Sequence, residues 1–259
     1  MNPVKIETAR AVMTATLVDV ENRNALGAAL LQGLRDALAG ANADPAVRAL
    51  VVTNEGSTFC AGANLKEASR GSGAPRGSTS LETLLGEIQT SPTPVIGRIA
   101  GHVVGGGIGL ACAFDISIAS DDVRFGFSEV RLGVVPAIIS VVCLPKMRPG
   151  EAMEAFLRGH RFPATRAVEL GLINRAVPAS ELDAAVDEVI ADLRKGGPNA
   201  LGIAKRLVHE VPRMMQERAF EWTSGLSADL FASDEAAEGM KAFLDKRAPS
   251  WAKGEDEDE

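Results

Sequence analysis

Residues 105–115 read GGGIGLACAFD: three consecutive glycines open an apolar run directly after the β-branched stretch PVIGRIAGHVV (94–104). A helix opening leaves main-chain N–H groups unpaired, and glycine lacks the Cβ that would keep other atoms away from them. The segment therefore predicts a strand, a bare turn and a buried helix in immediate succession. Strand-like runs flank that helix, PVIGRIA (94–100) before it and DISIAS (115–120) after it. VRALVVT (47–53) is a further buried-strand run. VKIETAR (4–10) and AVMTATLV (11–18) are two short strands, the second with the alternation of a half-buried strand. Leu26, Leu30, Leu31, Leu34 and Leu38 fall at helical spacing, with Asn24 as the expected cap. Strand and helix alternating in this order predict an α/β core with parallel pairing.

The pattern changes after about residue 180. Val186, Val189, Ile190 and Leu193 form one helical stripe, KGGPN (195–199) breaks it, and Leu201, Ala204, Leu207, Val208 and Val211 form another. Ser233, followed by Asp234 and Glu235, reads as a capped helix start leading to Met240, Phe243 and Leu244. The last sixty or so residues are expected to be helical and to pack on the core or on another subunit. RGSGAPRGSTS (70–80) has the composition of a surface loop, either a spacer or a lid over a ligand.

Charge narrows the class of partner. The formal net charge is −7, but GEDEDE (254–259) holds five of the acidic residues, so the body is close to neutral. No Lys/Arg stripe points to nucleic acid, and the acidic end reads as a solvated tail. Cys60, Cys112 and Cys143 are too scattered for a disulfide framework or a zinc site, which fits a cytoplasmic location. No secretory signal and no run of membrane-spanning length is visible, and the Ala, Arg and Gly usage points to a bacterial source.

The chemical features are sparse. There is no GxSxG elbow and no P-loop. His102, His160 and His209 share no metal-ligand spacing and read as structural, and Tyr is absent. Gly105, Gly107 and Gly109 give GxGxG, one residue short of the dinucleotide-binding fingerprint. What remains is two glycine-bearing turns, STFCAGANLKEA (57–68) and the triglycine segment. Facing one space, they would supply two N–H donors to a single carbonyl oxygen, an oxyanion hole. Glu129, in RFGFSEVRLGVVP (124–136), lies between Phe127 and Val130, where lost hydration would raise its proton affinity and suit it to proton transfer. A surface ion pair with Arg131 or Arg124 is the alternative.

Taken together, RNAL (23–26), FCAGANLKE (59–67), GHVVGGGIGLACAFDISIAS (101–120), FGFSEVRLGVVP (125–136), ATRAVELGLINRAVP (164–178) and AFLDKRAPSW (242–251) resemble, in order, the landmarks of the crotonase family of enoyl-CoA hydratases and isomerases. The resemblance spans essentially the whole chain. It implies an α/β, crotonase-like spiral of ββα units over residues 1–195, a C-terminal helical trimerisation region over 196–253, and the tail at 254–259. It further implies an acyl-CoA substrate, coenzyme A being part of the substrate with no separate cofactor or metal, and assembly as a homotrimer or a dimer of trimers. Carried over by position, Ala63 and Gly106 would supply the N–H groups for the thioester oxygen. Arg23, Ala25, Ala61, Asn64, Leu65, Lys66, Gly105 and Gly109 fall at substrate- or CoA-binding positions, Arg23 and Lys66 being suited to phosphates. Glu129 falls on the second of the family's two hydratase glutamates.

The chain departs from the pattern at the first of these, where it has Gly109. Asn64 stands where Asp is usual, and VDVENRNAL replaces the usual NRPxxRNAL. The stretch GGGIGL…SEVRLGVVPAIIS is similar to a subset that includes bacterial 3-methylglutaconyl-CoA hydratases and also carries glycine. Space freed at position 109 is expected to admit a branched or carboxylated acyl group. The reading is hydration of a 2-enoyl-CoA. The alternatives are a double-bond isomerase working with one glutamate and a catalytically weak acyl-CoA binder.

Overall fold

A computed structural model describes residues 2–69 and 79–252. Most of the 70–80 loop and the acidic tail at 254–259 lie outside the described residues, as does any lid formed by that loop. The described strands share two sheets. The larger holds β1 (Val4–Ala9), β2 (Val12–Leu17), β3 (Ala49–Asn54), β5 (Val95–Ile99), β7 (Ile116–Ser120) and β10 (Arg175–Val177), in the order β1-β2-β3-β5-β7-β10. The smaller holds β4 (Thr58–Cys60), β6 (His102–Val104), β8 (Arg124–Gly126) and β9 (Arg161–Pro163), in that order. One outer pair in each sheet, β1–β2 and β8–β9, is antiparallel, and β1 turns into β2 through Arg10 and Ala11, both at positive φ. From β2 to β10 the larger sheet is parallel, as the strand–helix alternation predicted.

The helices are α1 (Ala28–Ala43), α2 (Leu65–Ala68), α3 (Leu81–Thr90), α4 (Gly106–Ala113), α5 (Ala137–Cys143), α6 (Pro149–Arg158), α7 (Ala164–Glu169), α8 (Leu182–Lys195), α9 (Pro198–Glu210), α10 (Gln216–Phe231) and α11 (Asp234–Leu244). From β3 to β8 each turn lays one strand in the larger sheet, the next in the smaller, then helix; after α6 the order reverses, β9 joining the smaller sheet, α7 following it and β10 closing the larger one. This is a spiral of ββα units. Every such turn delivers a strand end and a helix start to the same edge, which is how two glycine turns far apart in sequence become neighbours.

Burial follows the period of two. On β3, Leu50 and Val52 face the main core, while Ala49 and Val51 face a second apolar layer with Ile96, Ile118 and the α8 residues Leu182, Val186, Val189 and Ile190. A fully buried Leu, Ile or Val contributes about 1.5–3 kcal/mol, so the stripe read at 186–193 secures α8 to the sheet. Lys205 of α9 is only 8% exposed; its Nζ donates to the Ile88 carbonyl at 2.7 Å and to Asp115 Oδ2 at 2.8 Å. Ser233 Oγ accepts from the Ala236 N–H, so it caps α11 as expected. Beyond α9 burial is slight: α10 has no buried residue, α11 buries Ala242, and Phe220, Phe231, Phe243 and Leu244 are exposed.

Asn24 does not cap α1. That helix starts after Gly27, which is extended and offers no side chain; Glu67 Oε2 accepts from the Ala28 N–H instead. Asn24 is fully buried, and its Nδ2 donates to the carbonyls of Thr58 (2.8 Å) and Glu55 (3.3 Å), pinning the 23–26 segment to β4. Asn24→Ala leaves the Thr58 carbonyl without this donor, and a buried polar group left so costs about 1–3 kcal/mol. A fall of that size in urea-unfolding free energy is expected; an unchanged midpoint would show that the segment is held by other contacts.

Candidate active site

Three segments converge on Gly105. Its backbone lies at φ 55°, ψ −125°, a conformation closed to residues with a Cβ, which explains the first half of the glycine run. Its N–H donates to the Gly126 carbonyl at 3.0 Å, tying the start of α4 to the strand that leads to Glu129. A β-carbon placed on Gly105 would lie 3.4 Å from Glu129 Oε1 and 3.6 Å from the Gly62 Cα. Gly62, at φ 85°, is itself so close that its own β-carbon would stand 3.2 Å from the Gly106 nitrogen. The two glycine turns therefore touch, and the Glu129 carboxylate reaches the backbone where they do.

The amides at this junction are available. Leu26 pairs with the 57–68 turn as a parallel bridge, its N–H donating to the Gly62 carbonyl and its carbonyl accepting from the Asn64 N–H. Alternation along an extended segment turns the intervening Ala63 N–H the opposite way. Gly106 is the first residue of α4, where no carbonyl precedes it at the right distance to accept. Neither the Ala63 nor the Gly106 N–H has a partner among the described residues. Gly106 also stands at the positive end of α4, which favours negative charge nearby.

Glu129 opens a short 3₁₀ turn, Glu129–Leu132, ended by Gly133 in the left-handed conformation. Phe127, two residues earlier, is fully buried and packs on Phe156 of α6, ring centres 4.6 Å apart, which fixes where the turn begins. Glu129 Oε2 is buried with no hydrogen-bond partner. Burial pushes the carboxyl above the usual glutamate range, a shift partly offset by the residue's own N–H. The ion pairs considered for it are not formed: Arg131 donates to the Arg158 carbonyl, and Arg124 is bonded through its backbone N–H to His102 Nδ1.

These groups line one cavity of about 360 Å³. Ala61, Gly62, Ala63, Gly105, Gly106 and Glu129 are on its wall, and Leu26, Leu31, Leu65, Leu81 and the 132–139 segment supply the rest, mostly hydrocarbon. Among the described lining residues Glu129 is the only ionisable group and Ser128 the only hydroxyl.

Of the positions singled out in the sequence, Glu129, Ala63, Gly106, Ala61, Leu65 and Gly105 are thus brought together. Arg23, Ala25, Asn64, Lys66 and Gly109 are not on the cavity wall. Asn64 is the cap of α2, its Oδ1 accepting from the N–H groups of Lys66 and Glu67. The Arg23 carbonyl accepts from the Ala61 N–H at 3.1 Å, tying Arg23 to the 57–68 turn, whereas Ala25 bonds locally, donating to the Asn22 carbonyl and accepting from the Gly27 N–H. The Arg23 side chain and Lys66 are exposed beside the turn that bears Ala61 and Leu65, Lys66 Nζ donating to Asn22 Oδ1. Gly109 is buried, and the room expected there does not exist: a β-carbon at 109 would stand 2.3 Å from Ile139 Cγ2. The outer wall, Leu132 to Ile139, was missed; the apolar run GVVPAII after Glu129 was its signal.

Known proteins have the same architecture. Pseudomonas aeruginosa AtuE superposes with a TM-score of 0.87 at 29% identity, covering 97% of this chain and all of that one. An enoyl-CoA hydratase/isomerase from Marinobacter aquaeolei gives 0.89 at 27% identity, over 98% of this chain and 100% of its own. The carnitinyl-CoA dehydratase of Proteus mirabilis is 31% identical over 252 residues, 94% of this chain and 96% of that protein. No described helix is long and apolar enough to cross a membrane. The family model for enoyl-CoA hydratase/isomerase matches residues 7–254. With the match running through both glycine turns, Glu129 and the C-terminal helices, the chain belongs to the enoyl-CoA hydratase/isomerase family.

Proposed function

We propose that this chain adds water to the double bond of a 2-enoyl-CoA, with Glu129 as the acid–base group and the Ala63 and Gly106 amides holding the thioester oxygen. The observation that carries the reading is the buried, unpartnered Glu129 Oε2 on the same cavity as two unpartnered amides. The carboxylate takes a proton from water as the water oxygen bonds to the β-carbon. The π electrons move toward the thioester, and negative charge grows on its oxygen, where two fixed donors and the end of α4 stabilise it. The protonated Glu129 then returns its proton to the α-carbon as the carbonyl re-forms. One carboxylate serves both transfers, and burial, by raising its proton affinity above the usual glutamate range, favours its taking up the proton that it later returns. The cycle consumes no cofactor and uses no metal.

The wall suits an apolar acyl group, linear or branched, better than a carboxylated one of the methylglutaconyl type, because no described lining residue is cationic. Arg23 and Lys66, exposed beside the mouth, are proposed to meet the phosphates of coenzyme A. A homotrimer or dimer of trimers is the proposed assembly, supported by the exposed Phe220, Phe231, Phe243 and Leu244.

A second reading has its own support: with one ionisable group on the wall, the site also fits an isomerase, which moves a proton between carbons and holds no water. Absorbance of the conjugated thioester separates them. Loss of signal from a 2-enoyl-CoA is the expected result. Appearance of signal from a 3-enoyl-CoA without such loss would replace hydration by isomerisation, and saturable binding without turnover would leave only an acyl-CoA binder.

A further inference from the structure

We infer that Ile139 sets the inner limit of the acyl pocket, and that position 109 is glycine in order to admit it. The inference rests on the reading that the cavity holds the acyl group of a CoA thioester. Along the 132–139 wall most side chains are open to solvent, Val135 at 66% and Ile138 at 44%, whereas Ile139 is 3% exposed. It is nonetheless a cavity-lining residue, so it is where the wall turns inward and ends.

Behind it stands α4. A β-carbon on Gly109 would lie 2.3 Å from Ile139 Cγ2, 2.9 Å from Ile139 Cβ and 3.6 Å from Leu85 Cδ1. Rotation about χ1 moves the Cγ2 of a β-branched residue but leaves its Cβ where the backbone puts it. Any side chain at 109 therefore displaces α5 itself, and with it the end of the pocket. Gly109 and Ile139 form a fitted pair: the bare backbone of α4 receives the isoleucine, and the isoleucine closes the cavity. The pocket is shorter than the missing side chain at 109 suggests, because hydrocarbon from α5 has filled the place.

Two opposite changes in selectivity follow. Ile139→Ala removes three carbons from the inner end, deepening the pocket toward Leu85 and Gly109. A hydrophobic pocket distinguishes one methylene by about 10- to 200-fold. The kcat/KM ratio of longer to shorter acyl chains should therefore rise by at least about tenfold. Gly109→Ala drives Ile139 toward the substrate and should shift preference to shorter chains. In the double variant the clash with Cγ2 is gone, so the two effects should be non-additive, as for residues in contact.

The test is a series of straight-chain 2-enoyl-CoA thioesters of increasing length, run on the parent, I139A, G109A and the double variant. Dissociation constants for the saturated acyl-CoA series, by calorimetry, give a readout independent of turnover. The expected result is a length optimum displaced upward in I139A and downward in G109A. A profile parallel to the parent's, with rates lowered equally at all lengths, would overturn the inference and leave Ile139 a packing residue. Should I139A fail to fold, I139V carries the same test with a smaller upward shift, and an unshifted profile in folded I139V overturns it equally. If the parent itself binds no acyl-CoA, the reading of the site falls as well; if the parent binds but does not turn over, the binding series still decides.

Discussion

Glu129→Gln should lower kcat by about a thousandfold or more while leaving the affinity for a saturated acyl-CoA nearly intact. General acid–base catalysis accounts for about 10²–10⁴ in rate, and here one carboxylate is asked to perform both proton transfers. Glutamine has the same shape and cannot cycle a proton, so binding and turnover separate. The same change should raise thermal stability. A carboxyl whose proton affinity is raised by folding penalises the folded state once it ionises, so its cost is absent below the ordinary glutamate range and is incurred as pH rises through the elevated value. The Glu129→Gln variant should therefore melt higher than the parent at pH 8, with the gap closing as pH falls. In the parent, kcat/KM should lose activity on the acid side with an apparent pKa above that of an exposed glutamate. A variant with near-parental turnover would move the chemistry to another group; a variant melting lower at pH 8 would mean that the buried carboxylate is stabilised by a contact other than those described.

Ala63→Pro should cost about 10²–10³ in kcat, the effect of removing one donor from an oxyanion hole. Proline deletes an N–H that the bridge to Leu26 does not use, since that bridge runs through the Gly62 carbonyl and the Asn64 N–H. The matched control is Ala63→Gly, which keeps the donor and should remain close to the parent. Circular dichroism and melting temperature show whether each variant is folded. Equal losses in both variants would point to loop geometry rather than the N–H, and an unchanged kcat in folded Ala63→Pro would remove Ala63 from the oxyanion assignment.

Legibility in the sequence tracked the length and self-sufficiency of each signal. The larger sheet could be read up to β7 because β2, β3, β5 and β7 are runs of five or six residues with clear apolar content, whereas its last strand, β10, is three residues and was not. The smaller sheet could not, since β4, β6, β8 and β9 are three residues each, too short for any period to show. The glycine turns announced bare backbone at helix starts, but their contact through Gly62 and Gly105 depends on how the spiral stacks. Asn24 looked like a cap because caps are local; its real partners, Thr58 and Glu55, lie more than thirty positions away. Gly109 misled for the same reason. Its neighbour across the helix interface is Ile139, and only packing reveals that the gap in the side-chain pattern is not a gap in space.

The alternation of strands between two sheets has a kinetic consequence. Leu50 sits beside Val95, and Ile118 beside Arg175, so each parallel pairing must close a long loop before it gains a ladder. Loop closure is an entropic toll levied in advance of any contact, and rates fall as such distant pairings come to dominate. Refolding from urea should thus be slow and should populate intermediates, with the loops that build the cavity among the last parts to settle.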